Sequence, residues 1–379
     1  MATEIKCVLT LDELEPEMIL AKDVYTPEGQ VLLRAGTVLN QRYIQKMQQF
    51  DVRVVWIKKV IPEDLSPEEC ELLQQEEEAR RAYIEAVNVV EQVMNDVRMG
   101  EALDMPTMRE AVSNLCAVLL TNEHLLKHVD ELHLYDDYTF AHSVQVCVFT
   151  IIIGKALGYE GSKLEDVGTG GLLHDIGKTR LPIELLNLPR KYTPEEFELV
   201  KNHARWGEEI LNQSGDVPEI VVRMAGEHHE RYNGTGYYKG LKEDEIHPFS
   251  QITALADVYD AMTTTRAYRP AMLPQQAIEF LLTSCGTFFN PEICDLFIKH
   301  VAIFPVGYIV QLTNGLLAKI LEVDEKMPSR PVVGVMEAEK SFKITEVLDL
   351  RRRNDILITR LVPQSEILKL KKGVKISSS

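Results

Sequence analysis

Five histidines and two aspartates stand in one order in the middle of this chain: His142, His174-Asp175, His203, His228-His229 and Asp257. Histidine is scarce, ten in 379 residues, so half of the chain's supply falls at these positions. The gaps run from about 25 to 32 residues, roughly one helix plus its connection. A helical bundle produces that spacing when successive helices each bring one or two side chains to a shared point. Imidazole together with carboxylate suits iron, manganese or zinc. Seven donors are too many for one tetrahedral ion, so the pattern predicts a site for at least two metals.

The rest of the chain limits where such a site can work. The net charge of −17 argues against double-stranded nucleic acid or an anionic membrane as partner. A small anionic ligand remains compatible, because metals and a few local cations can hold one. No run approaches the ~20 apolar residues of a membrane-spanning helix. The N-terminal MATEIKCVLTLDELE lacks a basic segment followed by an apolar one, so it does not read as a signal peptide, and a cytoplasmic location is expected. The six cysteines form no CxxC pair and read as reduced and mostly buried. Cys147, close to His142 in sequence, reads as a core residue rather than a ligand.

Hydrophobic patterning divides the chain. Residues 1–61 read as a small β-rich domain, with strands in 31–39 and 52–57 around a helix over 40–50 that Asn40 caps. Residues 62–100 read as a long linking helix through which two copies could pair; the glutamate-rich stretch 75–78 reads as its solvated face. Residues 101–303 carry helical stretches at 111–120, 143–157, 164–173, 196–211, 217–228, 250–263 and 275–282, an all-α bundle. Residues 304–362 read as a compact β domain. In it, an Asn314-Gly315 turn joins two strands, and further strands lie in 330–339 and 355–362. The basic tail 363–379 reads as mobile. The fold class is therefore mainly α, a helical bundle flanked by two small β domains.

Several residues add chemistry to the donors. A lone histidine in an apolar helix is usually a core residue, so His142 gains weight only from the set. In GLLHDIGKTRLP, adjacent His174 and Asp175 project about 100° apart and can serve neighbouring metals. Lys178 lies one turn from His174, where an ammonium can offset phosphate charge or stabilise a departing oxygen. After His228-His229 comes a glycine-rich loop in which Gly234 and Gly236 give a ligand room, and Tyr237 or Tyr238 could stack on a base. Asp257 sits in an apolar helix, where an unpaired carboxylate is costly. Asp260 lies one turn further on the same face. Arg266 and Arg269 follow at a spacing that can present both to one phosphate, although a surface salt bridge explains them equally well.

Taken together, H142…HDIGK…H203…HH…D257, with GTGY after the double histidine and DVYDAMTTTRAYR beyond it, resembles the HD-GYP subgroup of the HD phosphohydrolases across 101–303. The N-terminal segment is similar to the small β-rich domain that often precedes such domains. The resemblance implies a metal-dependent phosphodiesterase that opens cyclic dinucleotides, chiefly cyclic di-GMP, to linear pGpG or GMP. It implies metal ligands at His142, His174, Asp175, His203, His228, His229 and Asp257. It further implies phosphate contacts from Lys178, Arg266 and Arg269, substrate-loop contacts from Gly236 and Tyr237, and an orienting or proton-sharing role for Asp260. Metals of that kind acidify a bridging water, and the resulting hydroxide attacks phosphorus in line with the 3′ oxygen.

Two departures stand out. Gly236-Tyr237-Tyr238 replaces the subgroup's Gly-Tyr-Pro, which predicts a more flexible loop. Tyr138 occupies the position where trinuclear members carry a glutamate, so two metals, iron or manganese, are expected and a third is in question. Two alternatives stay open: another HD-type nucleotide phosphohydrolase, and a catalytically weak module that signals by binding metal or nucleotide.

Overall fold

A computed structural model describes residues 4–26, 29–50, 52, 54–60, 67–121, 138–264, 271–301, 304, 306–324, 327–337, 343–362, 366–367 and 370. The chain opens with strand β1 (Glu4–Thr10), short strands β2 (Ile19–Leu20), β3 (Val24–Tyr25) and β4 (Val31–Leu33), helix α1 (Gln41–Gln49) and strand β5 (Val54–Val60). β5 lies between β1 and β2 in an antiparallel sheet, and β3 pairs with β4. The Asn40 side chain caps α1 by accepting the Tyr43 N–H at 2.9 Å. Strand β1 adds to the strands expected at 31–39 and 52–57 within the β-rich segment 1–61. Its partner β5 alternates partly buried and buried residues from Val54 to Ile57 before turning polar.

Helix α2 (Pro67–Arg98) follows. Ala79, Tyr83, Ala86, Val87, Val90, Val93 and Met94 recur at helical spacing and are buried in the main core. Burying each of the larger ones contributes roughly 1.5–3 kcal/mol. The segment read as a linking helix thus packs its apolar face into the bundle, and that face is not available to a second copy. Its glutamates are not all solvated either. Burial pushes the Glu77 carboxyl up, and Glu77 pairs with buried Cys7 of β1.

The bundle continues with α3 (Met105–Thr121), α4 (Tyr138–Ala156), α5 (Gly161–Leu173), a 3₁₀ turn (Ile176–Arg180), α6 (Ile183–Leu186), α7 (Pro194–Gln213) and α8 (Glu219–Glu227). It closes with α9 (Pro248–Thr263), α10 (Pro274–Ser284) and α11 (Pro291–Val301). Every helical stretch expected between 111 and 282 lies within one of these helices or ends beside one. A capping box starts α7: Thr193 accepts the Glu196 N–H at 3.2 Å, Glu196 accepts the Thr193 N–H at 2.8 Å, and Pro194 takes the first turn. Cys285 and Cys294 are disulfide-bonded, which corrects the expectation of six reduced cysteines; they face each other across the turn between α10 and α11. Cys7, Cys116 and Cys147 are free and buried.

A second sheet ends the described chain: β6 (Ile309–Leu312), β7 (Leu317–Glu322), β8 (Val332–Glu337), β9 (Lys343–Asp349) and β10 (Ile358–Leu361), antiparallel in the order β10-β6-β7-β8-β9. Gly315, with φ of +82°, turns β6 into β7 as the Asn-Gly pair predicts. Strand β9 escaped the sequence reading. Its first five residues are exposed at the sheet edge, so KITEVLD carries no alternation of buried and polar positions. No helix among the described residues is long and apolar enough to cross a membrane.

Candidate metal centre

Five helices and one turn bring all seven donors together. His142 projects from α4, His174 caps the end of α5, and Asp175 opens the 3₁₀ turn. His203 lies inside α7, His228 caps α8 with His229 next to it, and Asp257 lies in α9. Close backbone packing makes this convergence possible. A methyl group on Gly177 would sit 1.9 Å from the His203 carbonyl oxygen, so glycine lets the turn lie directly on α7. At Gly171 the same atom would lie 2.9 Å from the Cys147 Cα, which sets α5 against α4.

The donors fall into two groups: His142, His174 and Asp175 form one, and His203, His228 and His229 the other, with the ligand atoms of each within 4.8 Å of one another. Two carboxylates span them. Asp175 Oδ2 lies 3.3 Å from His174 Nε2 and 4.0 Å from His142 Nε2, while its Oδ1 lies 3.3 Å from His203 Nε2 and 3.7 Å from His228 Nε2. Asp257 Oδ1 is 3.1 Å from His142 Nε2, and its Oδ2 is 3.9 Å from His229 Nδ1.

Proton positions follow from the backbone. The Nδ1 atoms of His174, His203 and His228 lie 2.7, 2.7 and 2.9 Å from the carbonyl oxygens of Gly171, Val200 and Ala225. A carbonyl only accepts, so each Nδ1 carries the proton and each Nε2 turns a lone pair toward the centre. Burial holds His203 and His228 below the usual imidazole range, which keeps them neutral. Their Nε2 atoms nevertheless face each other at 3.2 Å, lone pair against lone pair. His174 Nε2 and Asp175 Oδ1 are buried without a hydrogen-bond partner. Leaving such atoms unsatisfied costs about 1–3 kcal/mol each. Bound cations would satisfy both, so this donor set fits divalent metal.

The first group is more acidic. Burial disfavours a charged His142, but Asp260 and Asp257 outweigh it and raise the ring to about 9. His142 Nδ1 meets Asp260 Oδ2 at 2.5 Å. Asp260 is buried behind the ring and fixes its orientation, as carboxylates do behind metal-binding histidines. Burial also opposes the Asp175 charge, yet Lys178 and His174 hold that carboxyl well below its usual range. Lys178 Nζ lies 2.5 Å from Asp175 Oδ2, and its side chain is a quarter exposed.

Beyond His229 the glycine-rich loop folds back over the second group. Tyr237 stacks on His229 with ring centroids 4.6 Å apart. A Cβ on Gly236 would lie 2.4 Å from the Arg231 nitrogen, so its bare face is filled by the loop's own backbone rather than held open for a ligand. The loop is also tied down. The Glu230 carboxylate, buried, accepts the N–H groups of Lys239, Gly240 and Leu241 at 2.7, 3.0 and 3.1 Å. The Tyr238 hydroxyl donates to Glu208 of α7, and Lys239 Nζ reaches Glu208 at 2.8 Å. Without the proline, the loop is tied by the side chains of Glu230, Tyr238 and Lys239.

Sequence reasoning missed Glu208, Glu230 and Arg231. No spacing rule marks a carboxylate that accepts backbone N–H groups. Arg231, partly buried with its guanidinium over Phe289 at 5.4 Å, reads in sequence as one more charged loop residue. Arg266 and Arg269 lie outside the described residues, as does the side chain of Tyr138.

The HD domain family matches residues 120–293. A cyclic di-GMP phosphodiesterase of Pseudomonas aeruginosa is 33% identical over 344 residues, 84% of this chain and 82% of that protein. The chain belongs to the HD-GYP group of HD-domain hydrolases. Other members share less of their length. A 3'3'-cGAMP-specific phosphodiesterase of Vibrio cholerae is 31% identical over 59% of this chain and 50% of that protein. A cyclic di-GMP phosphodiesterase of Thermotoga maritima is 32% identical over 47% of this chain and 50% of that protein. Against these two, the chain spans about half the relative's length. The fold agrees with that of an HDG"Y"P protein from Bdellovibrio bacteriovorus, at a TM-score of 0.53 and 20% identity, covering 77% of this chain and 98% of that one.

Proposed function

We propose that this HD-GYP protein hydrolyses a cyclic dinucleotide, cyclic di-GMP first among them, to linear pGpG or GMP. One observation carries the reading: two donor groups share Asp175 and Asp257, and the Nε2 lone pairs of His174, His203 and His228 turn inward with the carboxylate oxygens. Such a set answers to a pair of divalent ions, iron or manganese, held by His142, His174, Asp175, His203, His228, His229 and Asp257. When bound, such ions supply Lewis acidity toward a phosphoryl oxygen and a water nucleophile acidified to near neutral pH.

The protein's own groups do the rest. Lys178, on the exposed side of Asp175, offsets phosphate charge and stabilises the departing 3′ oxygen. Arg266 and Arg269, at a spacing that can present both to one phosphate, add phosphate contacts. Asp260 keeps the His142 ring aimed, so that its Nε2 stays turned to Asp257. Tyr237, held by a turn that closes tightly at Gly236, forms the wall over His229 along which the substrate lies.

Purified protein loaded with iron or manganese should linearise cyclic di-GMP. Turnover surviving in a His174→Ala/Asp175→Ala double variant would sink the mechanism. The Vibrio relatives favour a second reading, in which 3'3'-cGAMP is the better substrate. Comparing kcat/KM for the two cyclic dinucleotides decides between them.

A further inference from the structure

The wall over His229 continues outward onto α7 through residues that the hydrolytic reading does not use. Phe197 stands edge-on to Tyr237, with ring centroids 6.4 Å apart and planes at 84°. It is 46% exposed, although it lies on the helix that delivers His203. Lys201, one turn further along, holds its ammonium 5.7 Å from the Tyr237 ring and 5.6 Å from the Phe197 ring. It also pairs with Glu198 at 2.5 Å. From the donors outward the order is His229, Tyr237, then Phe197, with Lys201 bordering both of the last two rings.

An exposed aromatic alone is ordinary, and an exposed ion pair between residues three apart contributes little. The combination is less ordinary. Two perpendicular rings make a corner that a flat heterocycle can fill, stacking on one ring and meeting the other edge-on. Lys201 brings donors to that corner, and Glu198 brings acceptors. Guanine presents the O6 and N7 acceptors and an N2 amino donor, whereas adenine presents an amino donor where guanine has O6. A lysine at the corner therefore meets two adjacent acceptors, O6 and N7, on guanine, but on adenine N7 alone beside an amino donor.

We propose that Phe197, Tyr237 and Lys201 form a base subsite that takes one guanine of the cyclic dinucleotide and sets the enzyme's preference for guanine over adenine. The inference rests on the phosphodiesterase reading and names the residues that choose its substrate. Phe197 and Tyr237 position the base by stacking, and Lys201 reads its edge.

The test uses the full-length, metal-loaded protein with cyclic di-GMP, cyclic di-AMP and methyl p-nitrophenyl phosphate, a small diester without a base. Lys201→Met should lower the cyclic di-GMP to cyclic di-AMP ratio of kcat/KM about tenfold, and Lys201→Arg should restore it. Phe197→Ala should lower the ratio of cyclic di-GMP to small-diester hydrolysis roughly tenfold, mainly through KM, with Phe197→Trp recovering it. Unchanged ratios in an active enzyme overturn the subsite and leave the phosphodiesterase reading intact. Equal losses on all three substrates also overturn it, since they mean that the side chains only support the fold. A wild-type protein that cleaves the small diester but no cyclic dinucleotide overturns both.

Discussion

The two donor groups differ in what stands behind them. His142 is backed by Asp260 and flanked by Asp257, so its surroundings favour positive charge. His203 and His228 are backed only by backbone carbonyls, and burial keeps them neutral. An ion held by the first group would meet carboxylate oxygen and a histidine made more basic by its acid. One held by the second would meet chiefly neutral imidazole and the shared carboxylates of Asp175 and Asp257. If both groups took an ion, the two would not be equivalent.

That contrast can be broken by substitution. Asp175→Asn removes the negative charge that both groups share. Activity should fall on the order of 10³-fold, and elemental analysis should find metal lost from both positions; loss of a single ion would mean that Asp175 serves one group alone. His203→Ala acts on the imidazole group only. It should reduce metal from two per chain to one and activity by roughly 10²-fold, whereas an empty protein would show that the groups fill together. Asp260→Asn leaves every donor in place but loosens His142. It should weaken metal affinity or turnover about 10- to 100-fold, with the retained ion in the imidazole group, as read by metal titration. Tyr238→Phe touches neither group. Losing its hydroxyl removes one of the loop's two ties to Glu208, and KM should rise roughly two- to fivefold while metal content stays constant.

The donors were legible in the sequence because each sits on a helix or within two residues of its end, so spacing reported geometry directly. His142, His174, His203 and Asp257 converge because their helices pack side by side. The Asn314-Gly315 hairpin and the Asn40 cap were legible for the same reason, since each is decided within a few residues. What escaped was decided by distant partners. Strand β9 exists because β8 offers it an edge, not because of its own pattern. Glu230 and Glu208 matter because a loop folds onto them, and nothing near either in sequence reports that. The apolar stripe of α2 was visible, but not that the bundle, rather than a second copy, covers it.

The three histidines that donate to a carbonyl three residues earlier have a consequence for assembly. Each such bond lies within a single turn of backbone, so the ring's aim is inherited from the turn itself. An imidazole free to rotate would surrender rotameric entropy when it captured an ion. His174, His203 and His228 have surrendered theirs before the ion arrives. The helices then need only dock for the centre to be shaped, and little reorganisation remains between the folded chain and its occupied form.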